Sequence, residues 1–445
     1  MLSIVILIAI LTVNCFVLYK KTNQFLLPSP SFVVSAMFLL FATMVFLNYD
    51  FFDEEISFVT IIVIMACILS MQCTELCFTK IQKVKYIHYK ADKIDEYITR
   101  WKLILATCII AVNTILRYKR FIDIGSALGA NDFFSSYIAI RLATTNAANG
   151  VDVDGFYDPT RIEIFLGNIA TAAAYICLYY LIKSIVFGRK KNWICFAPIC
   201  AYLPSLIFET GRSAFFGIIV FIILSFLFLF SVYHKTVYWN STKGKRMIMK
   251  AGAGFLLFFA VSSVMMQSDK DEKVGGELGV VNYMSLYVGS SLINFNHYVV
   301  EDESKSDYPG QLTFRDTFNN LRSLGLETKR PEVHLENYYW KGNNREYGSN
   351  VFTGFYMAIK DFGYIGSVIL FCFIGIFYGL MNTKINSIRF DFESALPIYI
   401  IALVYGTAIW LPYTYQYYSF FSIGFLIRIC LFSITEKFLI SKVRQ

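Results

Sequence analysis

What most constrains this chain is the recurrence of nearly uncharged apolar runs about as long as a bilayer is thick. They fall near 2–19, 31–48, 57–78, 103–117, 163–187, 193–208, 214–233, 251–267, 352–381, 395–412 and 418–436. A helix needs roughly 20 apolar residues to cross the hydrocarbon. The spacing therefore predicts an all-α polytopic integral membrane protein of about 11 transmembrane helices, residues 1–445 forming a single transmembrane domain. Composition agrees, because 16% of residues are charged where soluble chains carry about a quarter. The first run has no basic stretch before it and no small-residue cleavage pattern, so it reads as a retained anchor. The net charge of +8 then bears on orientation. No arginine-rich run interleaved with stacking aromatics lies outside the apolar segments, which excludes nucleic acid as a partner.

Lys and Arg sort the connections into two alternating sets. One holds Lys20 and Lys21, the basic segment 80–102, Arg189 to Lys191, the segment 235–250, Lys384 with Arg389, and Lys437, Lys442 and Arg444. The other includes "YDFFDEE" and "TYQYYS", which carry neither. The N-terminus is expected outside and the C-terminus in the cytoplasm.

Two outer segments exceed simple connections, and loops of such length are commonly functional. In 118–162, Phe133, Phe134, Tyr137, Ile138 and Ile140 predict an amphipathic helix at the membrane interface. The segment 268–350 carries 13 acidic against 9 basic residues and reads as short helices and loops. Its end, "NYYWKGNNREYGSN", has the Tyr, Trp and Asn of a sugar-binding surface, and equally those of an interfacial aromatic belt.

Charges at membrane depth are costly and mark candidate sites. They are Arg117, Arg141, Glu209 with Arg212 in "FETGRS", Lys360 and Asp361 in "YMAIKDFGYIG", and Arg428 in "SIGFLIRICLF". Arginine's fork grips phosphate oxygens bidentately, so an arginine cluster near the outer headgroups suits a lipid-linked diphosphate. Against that stand snorkelling anchors and a local Glu209–Arg212 pair; Lys119 and Arg120 read as anchors.

Of the four histidines, His297 in "SSLINFNHYVVEDES" is apolar-flanked and close to Glu301, Asp302 and Glu303. That arrangement suits a general base or a structural histidine; His334 ranks after it. "DVD" at Asp152 to Asp154 reads as a solvated acidic loop. All ten cysteines sit in or beside apolar runs, which predicts neither a disulfide framework nor a zinc site. Gly-rich nucleotide loops and H-E-x-x-H are absent. No cofactor and no metal are expected.

Two stretches, "TGRS" at 210–213 and "SNVFTGFYMAIKDFGYIGSVILFCFIGIFYGL" from Ser349, resemble the bacterial O-antigen or oligosaccharide repeat-unit polymerases of Wzy type. D-F-G-x-x-G, Asp361 to Gly366, is the more specific part. The resemblance implies a GT-C-like architecture in the bacterial inner membrane, the outer side facing the periplasm. It implies undecaprenyl-diphosphate-linked glycans as donor and acceptor, membrane lipid as surroundings, and a chain-length-regulating membrane protein as partner. The implied reaction is metal-independent. An acceptor hydroxyl attacks the donor's anomeric carbon and the lipid diphosphate leaves. Arg212 takes the diphosphate-binding role by motif, joined by Arg117, Arg141 and Arg428 by placement, with Lys360 and Asn350 in the matching stretch. His297 is the first candidate for base and Glu209 the second, unless Glu209 only holds Arg212. An O-antigen ligase and a lipid-linked oligosaccharide flippase or exporter are the alternatives.

Overall fold

The computed structural model describes residues 1–52, 54–80, 96–148, 153–157, 159–187, 193–208, 212–234, 241–242, 245–246, 249, 279–301, 304–326, 338–342, 345–349, 351–386 and 394–442. Apolar runs become helices because a helix satisfies every backbone donor internally, the only economical solution in lipid. In chain order they are α1 (Leu2–Thr22), α2 (Pro30–Leu47), the one-turn α3 (Tyr49–Phe52), α4 (Phe58–Phe78), α5 (Arg100–Ala127), α6 (Phe133–Ala148) and α7 (Arg161–Val186). There follow α8 (Phe196–Phe208), α9 (Arg212–His234), α10 (Gly279–Glu301), α11 (Arg315–Ser323), α12 (Gly354–Ile385), α13 (Leu396–Trp410) and α14 (Ile423–Leu439). Seven of these, α1, α2, α4, α5, α7, α9 and α12, are long and apolar enough to cross a membrane, the character of a polytopic membrane protein. The predicted run 251–267 lies outside the described residues.

The chain departs from an all-α expectation in two small antiparallel ribbons. One pairs β1 (Glu96–Ile98) with β4 (Ile440–Lys442), and the other pairs β2 (Tyr338–Gly342) with β3 (Arg345–Ser349). The segment 268–350 is likewise not only short pieces, since α10 runs 23 residues. Nor does α5 stop at Arg117. It continues to Ala127, because "YKRFIDIGSA" contains no proline, and ends where Gly129 takes φ +79°. There Ala130 N–H donates to the Gly125 carbonyl and Gly129 N–H to that of Ser126, closing a Schellman motif.

Two compact units share the chain. The first holds 1–85, 239–390 and 404–422. Its core joins α1, α2, α4, α10 and α12 through Phe38, Val45, Ile64, Met71, Phe295 and Phe371, among others. Helix α12 closes on α4 over Gly375 and Gly379. A Cβ on Gly375 would stand 2.1 Å from the Met71 carbonyl oxygen, and one on Gly379 2.7 Å from that of Glu75. Small residues four apart permit this backbone approach. The fully buried Glu75 accepts from Ser29 Oγ (2.6 Å), Ser31 N–H (3.1 Å) and Asn382 Nδ2 (2.5 Å). It thereby caps the start of α2, where a carboxylate meets the helix dipole favourably.

Helix α12 is not the single straight span expected for 352–381. Gly363 adopts φ +70° and ψ −178°, and the Phe355 and Phe371 rings on either side of it lie 4.8 Å apart, edge to face. In a straight helix their Cα atoms would be about 24 Å apart, so the chain turns sharply at Gly363. The first arm, 354–362, carries Phe355 onto Phe38 at the middle of α2, ring centroids 5.0 Å apart. Its N-terminus is tied by Gly354 N–H to the Leu411 carbonyl at 2.7 Å, and Ser291 Oγ donates to the Pro412 carbonyl at 2.8 Å. "TYQYYS" is therefore no free turn: Tyr415 and Tyr417 are buried in the same core.

The second unit holds 86–238, 391–403 and 423–445. Helices α5, α7 and α8 pack together here, with α9 and α14 against α7. The expected helix at 133–148 forms. Its Ile140 and Tyr137 pack with Phe121 and Ile124 of α5, and Ser136 closes on Gly125.

A cationic, tyrosine-lined candidate site

Helix α5 buries the stripe Leu103, Ala106 and Ile110, and one turn further the same stripe turns polar at Asn113, with Arg117 four residues on. Positions four apart share a helix face. Opposite them α7 offers Gly167. A Cβ there would lie 2.9 Å from Arg117 Nη2 and 3.6 Å from Asn113 Oδ1, so the missing side chain makes room for the guanidinium.

Arg117 meets a second arginine through tyrosine. Tyr202 of α8 shares a 2.9 Å hydrogen bond with Thr171 of α7, and both Arg117 and Arg428 lie close enough to act on its phenol electrostatically. Arg428, on α14, hydrogen-bonds Tyr399 and also acts on Tyr175. The rings are fixed by packing: Tyr399 stacks on Phe432 at 4.4 Å, and Tyr175 meets Tyr399 at 5.2 Å and Phe221 at 4.8 Å. All three tyrosines are buried, whereas Arg428 is exposed and Arg117 half-buried. Gly217 of α9 lets the Tyr175 hydroxyl approach, 3.3 Å from where its Cβ would be.

Arg117 of α5 and Arg428 of α14 thus each act electrostatically on Tyr202 of α8. Arg212 starts α9, five residues before Gly217, about 7.5 Å of helix rise. Glu209 and Asn350 lie outside the described residues. Arg141 is half-buried on α6. Arg120 is committed to a loop: its Nη2 donates to the Tyr157 carbonyl at 2.6 Å and its guanidinium lies 5.6 Å from that ring. Glu163 acts on Arg117 and Arg120 and is itself held by Thr160, N–H and Oγ1 both at 2.7 Å. Guanidinium forks of this kind are suited to a multidentate oxyanion. Asn113 is 2% exposed and its Nδ2 has no hydrogen-bond partner among the described residues. An unpaired buried amide costs about 1–3 kcal/mol.

The remaining candidates belong to the first unit. His297 on α10 has Nε2 3.4 Å from Glu54 and Nδ1 3.3 Å from Glu301. Glu54 first, then Glu301, holds its pKa above the usual histidine value against the opposing effect of burial. That favours imidazolium, which opposes the role of general base. The neighbouring Asn296 accepts from Ser57 N–H (2.7 Å) and Thr60 Oγ1 (2.8 Å) and donates to the Glu55 carbonyl. His297 therefore closes a latch between α10 and the start of α4. Lys360 Nζ donates to the Tyr356 hydroxyl at 3.0 Å.

Asp361 accepts from Ser306 Oγ (2.5 Å), Leu312 N–H (3.0 Å) and Thr313 N–H (2.6 Å), so the segment after α10 is strapped to α12. Phe362 packs edge-on against Phe314 at 6.3 Å, Gly363 makes the bend, and a Cβ on Gly366 would lie 2.6 Å from that of Phe362. D-F-G-x-x-G is accordingly a strap, a packing ring and a bend.

Sequence reasoning missed Asn113, Gly167, Tyr175, Tyr202 and Tyr399. A usable signal existed for the tyrosines, because a phenol in mid-span needs a partner other than water. Among the described residues no group of three or more His, Cys, Asp or Glu could hold a metal ion. No family model matches the chain, and no curated protein or solved structure matches it.

Proposed function

We propose that this chain is a membrane glycosyltransferase that polymerises undecaprenyl-diphosphate-linked repeat units into O-antigen or a similar surface polysaccharide. The observation that supports the reading is that Arg117 and Arg428, on apolar helices, both act electrostatically on Tyr202. Like charges on apolar helices are suited to an anionic ligand, and a lipid diphosphate is anionic and already in the membrane. The acceptor hydroxyl oxygen forms a bond to the donor's anomeric carbon as the carbon–oxygen bond to the diphosphate breaks. The hydroxyl proton passes to a base or to water, and the lipid diphosphate leaves with the bonding pair. Fixed positive charge where the leaving group gains negative charge lowers that barrier. Arg117 and Arg428, with Arg212 at the start of α9, supply it; Tyr399 holds the Arg428 fork.

The topology that goes with this reading has eleven spans. They are the seven long helices, the shorter α8 and α13, α14, and the run 251–267. The N-terminus and the segments 118–162 and 268–350 face the periplasm.

The test is complementation of a host lacking the gene with Arg117→Gln and Arg428→Gln, read as the polysaccharide ladder and as protein in the membrane. Both variants should insert normally and leave a core bearing a single repeat unit. A bare core would instead mark a ligase. Full-length ladders from both variants would remove the arginine pair from the reaction.

A further inference from the structure

Helix α11 and the turn that closes it pair a polar body with an apolar tip. The helix reads "RDTFNNLRS" and the turn after it "LGL", with Leu324 70% and Leu326 55% exposed. The tip is held rather than loose. Gly325 takes φ +88°, its N–H donates to the Arg322 carbonyl at 2.9 Å, and Leu326 N–H donates to that of Leu321 at 3.1 Å. In such a Schellman closure the last residue commonly packs back onto the helix. Here it stands clear.

Helix α12 shows the level at which this happens. Gly363 and Ile385 are 22 positions apart, about 33 Å of helix rise against a hydrocarbon layer of about 30 Å. Ile365, Ile369 and Phe373 stand exposed along that arm in steps of four, a face for lipid. The bend at Gly363 therefore marks one surface of the bilayer. The segment carrying α11 is fixed there. Asp361, two residues before the bend, holds Leu312 and Thr313, and Phe314 packs against Phe362. Thr317 Oγ1 donates to the Phe421 carbonyl at 2.9 Å, and Phe318 meets the Tyr308 ring at 5.0 Å. From Phe318 to Leu324 the rise is about 9 Å, close to the headgroup layer of about 5–8 Å.

We infer that the turn Leu324–Leu326 is a membrane-surface contact: α11 lies along the bilayer that the long helices span, and the two leucines enter its headgroup layer. Arg322, Lys329 and Arg330, against the single acid Glu327, flank the leucines in the sequence. Apolar residues bracketed by basic ones are the pattern of an interfacial anchor, the cations remaining with the phosphates while the leucines reach inward. The segment between α10 and α12 is thus seated on lipid at α11 and on protein at Asp361. The inference is independent of the arginine pair and of the reaction.

The experiment places a reporter at the tip of the full chain, Leu324→Trp and separately Leu326→Trp, in phosphatidylcholine vesicles with and without bromine atoms high on the acyl chains. Emission is read as variant minus wild type, which removes the five native tryptophans. Both side chains are more than half exposed, so each variant should melt with the wild type, and either one alone carries the test if the other accumulates poorly. The added emission should move to shorter wavelength than that of tryptophan in water, lose most of its intensity in brominated vesicles, and resist acrylamide added to the aqueous phase. Quenching by acrylamide with no response to bromine would put the turn in water and overturn the inference. Protection from both quenchers would mean that a protein surface covers the leucines, and would overturn it equally.

Discussion

Replacing Asp361 by Asn tests whether the most recognisable stretch of this sequence works as a strap or as chemistry. The carboxylate is 8% exposed and takes three donors, Ser306 Oγ, Leu312 N–H and Thr313 N–H, at 2.5 to 3.0 Å. Hydrogen bonds to a charged group contribute about 1.5–3 kcal/mol each, and a stranded buried donor costs about 1–3 kcal/mol. Asn keeps one acceptor oxygen and turns an NH2 toward a backbone N–H, so at least one buried donor is left facing another. A net loss of about 2–4 kcal/mol follows, a fall of roughly 4–8 °C in melting temperature for a body of this size. Ser306→Ala removes one bond to the carboxylate and should cost about 1.5–3 kcal/mol. Both are read by melting the detergent-purified protein, with limited proteolysis at residues 304–326 as the local report. Asp361→Asn should open that segment to protease before the rest of the chain. A variant that melts with the wild type and resists cleavage there would refute the strap, and an unchanged fold with lost polymerisation would return Asp361 to the chemistry.

Gly363→Ala meets no atom within 4 Å, so its cost is the backbone conformation alone, about 1–3 kcal/mol; unchanged melting would mean that α12 does not bend there. Gly375→Leu would drive a side chain into the Met71 carbonyl, 2.1 Å from the added Cβ, and should prevent accumulation of folded protein, read as monodisperse yield after solubilisation. His297→Gln tests the α10 latch through pH. Because the two carboxylates raise the folded-state pKa, the contribution is full below the unfolded value of about 6.5 and is lost as pH rises through the folded value. The wild-type advantage in melting temperature should therefore shrink toward alkaline pH, and a difference that stays flat or grows would contradict the latch.

The spans were legible because bilayer thickness is written into composition. Leu2 to Thr22 and Phe58 to Phe78 follow their apolar runs almost to the residue. Arg117 and Arg428 stood out in the sequence for the same reason, as charges within or beside such runs. What the pattern did not hold was direction. A glycine inside "KDFGYIG" reads alike in a straight or a bent helix, and the Gly363 dihedrals with the Phe355–Phe371 contact show which. Tyr175 and Tyr202 count as apolar in any window, so their hydroxyls disappear from a hydropathy argument. Glu301 stood close to His297 in the sequence, but Glu54 comes from a loop 243 positions earlier, a distance over which local pattern carries no information.

The central claim, that the arginine pair holds a lipid diphosphate while glycans are joined, is tested most directly by reconstitution. Purified chain in liposomes would be supplied with a lipid-linked repeat unit and the products resolved by length. The wild type should produce a ladder and release lipid diphosphate in step with each added unit. Arg117→Gln and Arg428→Gln should produce neither while melting with the wild type. Translocation of the lipid-linked unit without lengthening, or ladders from both variants, would contradict it.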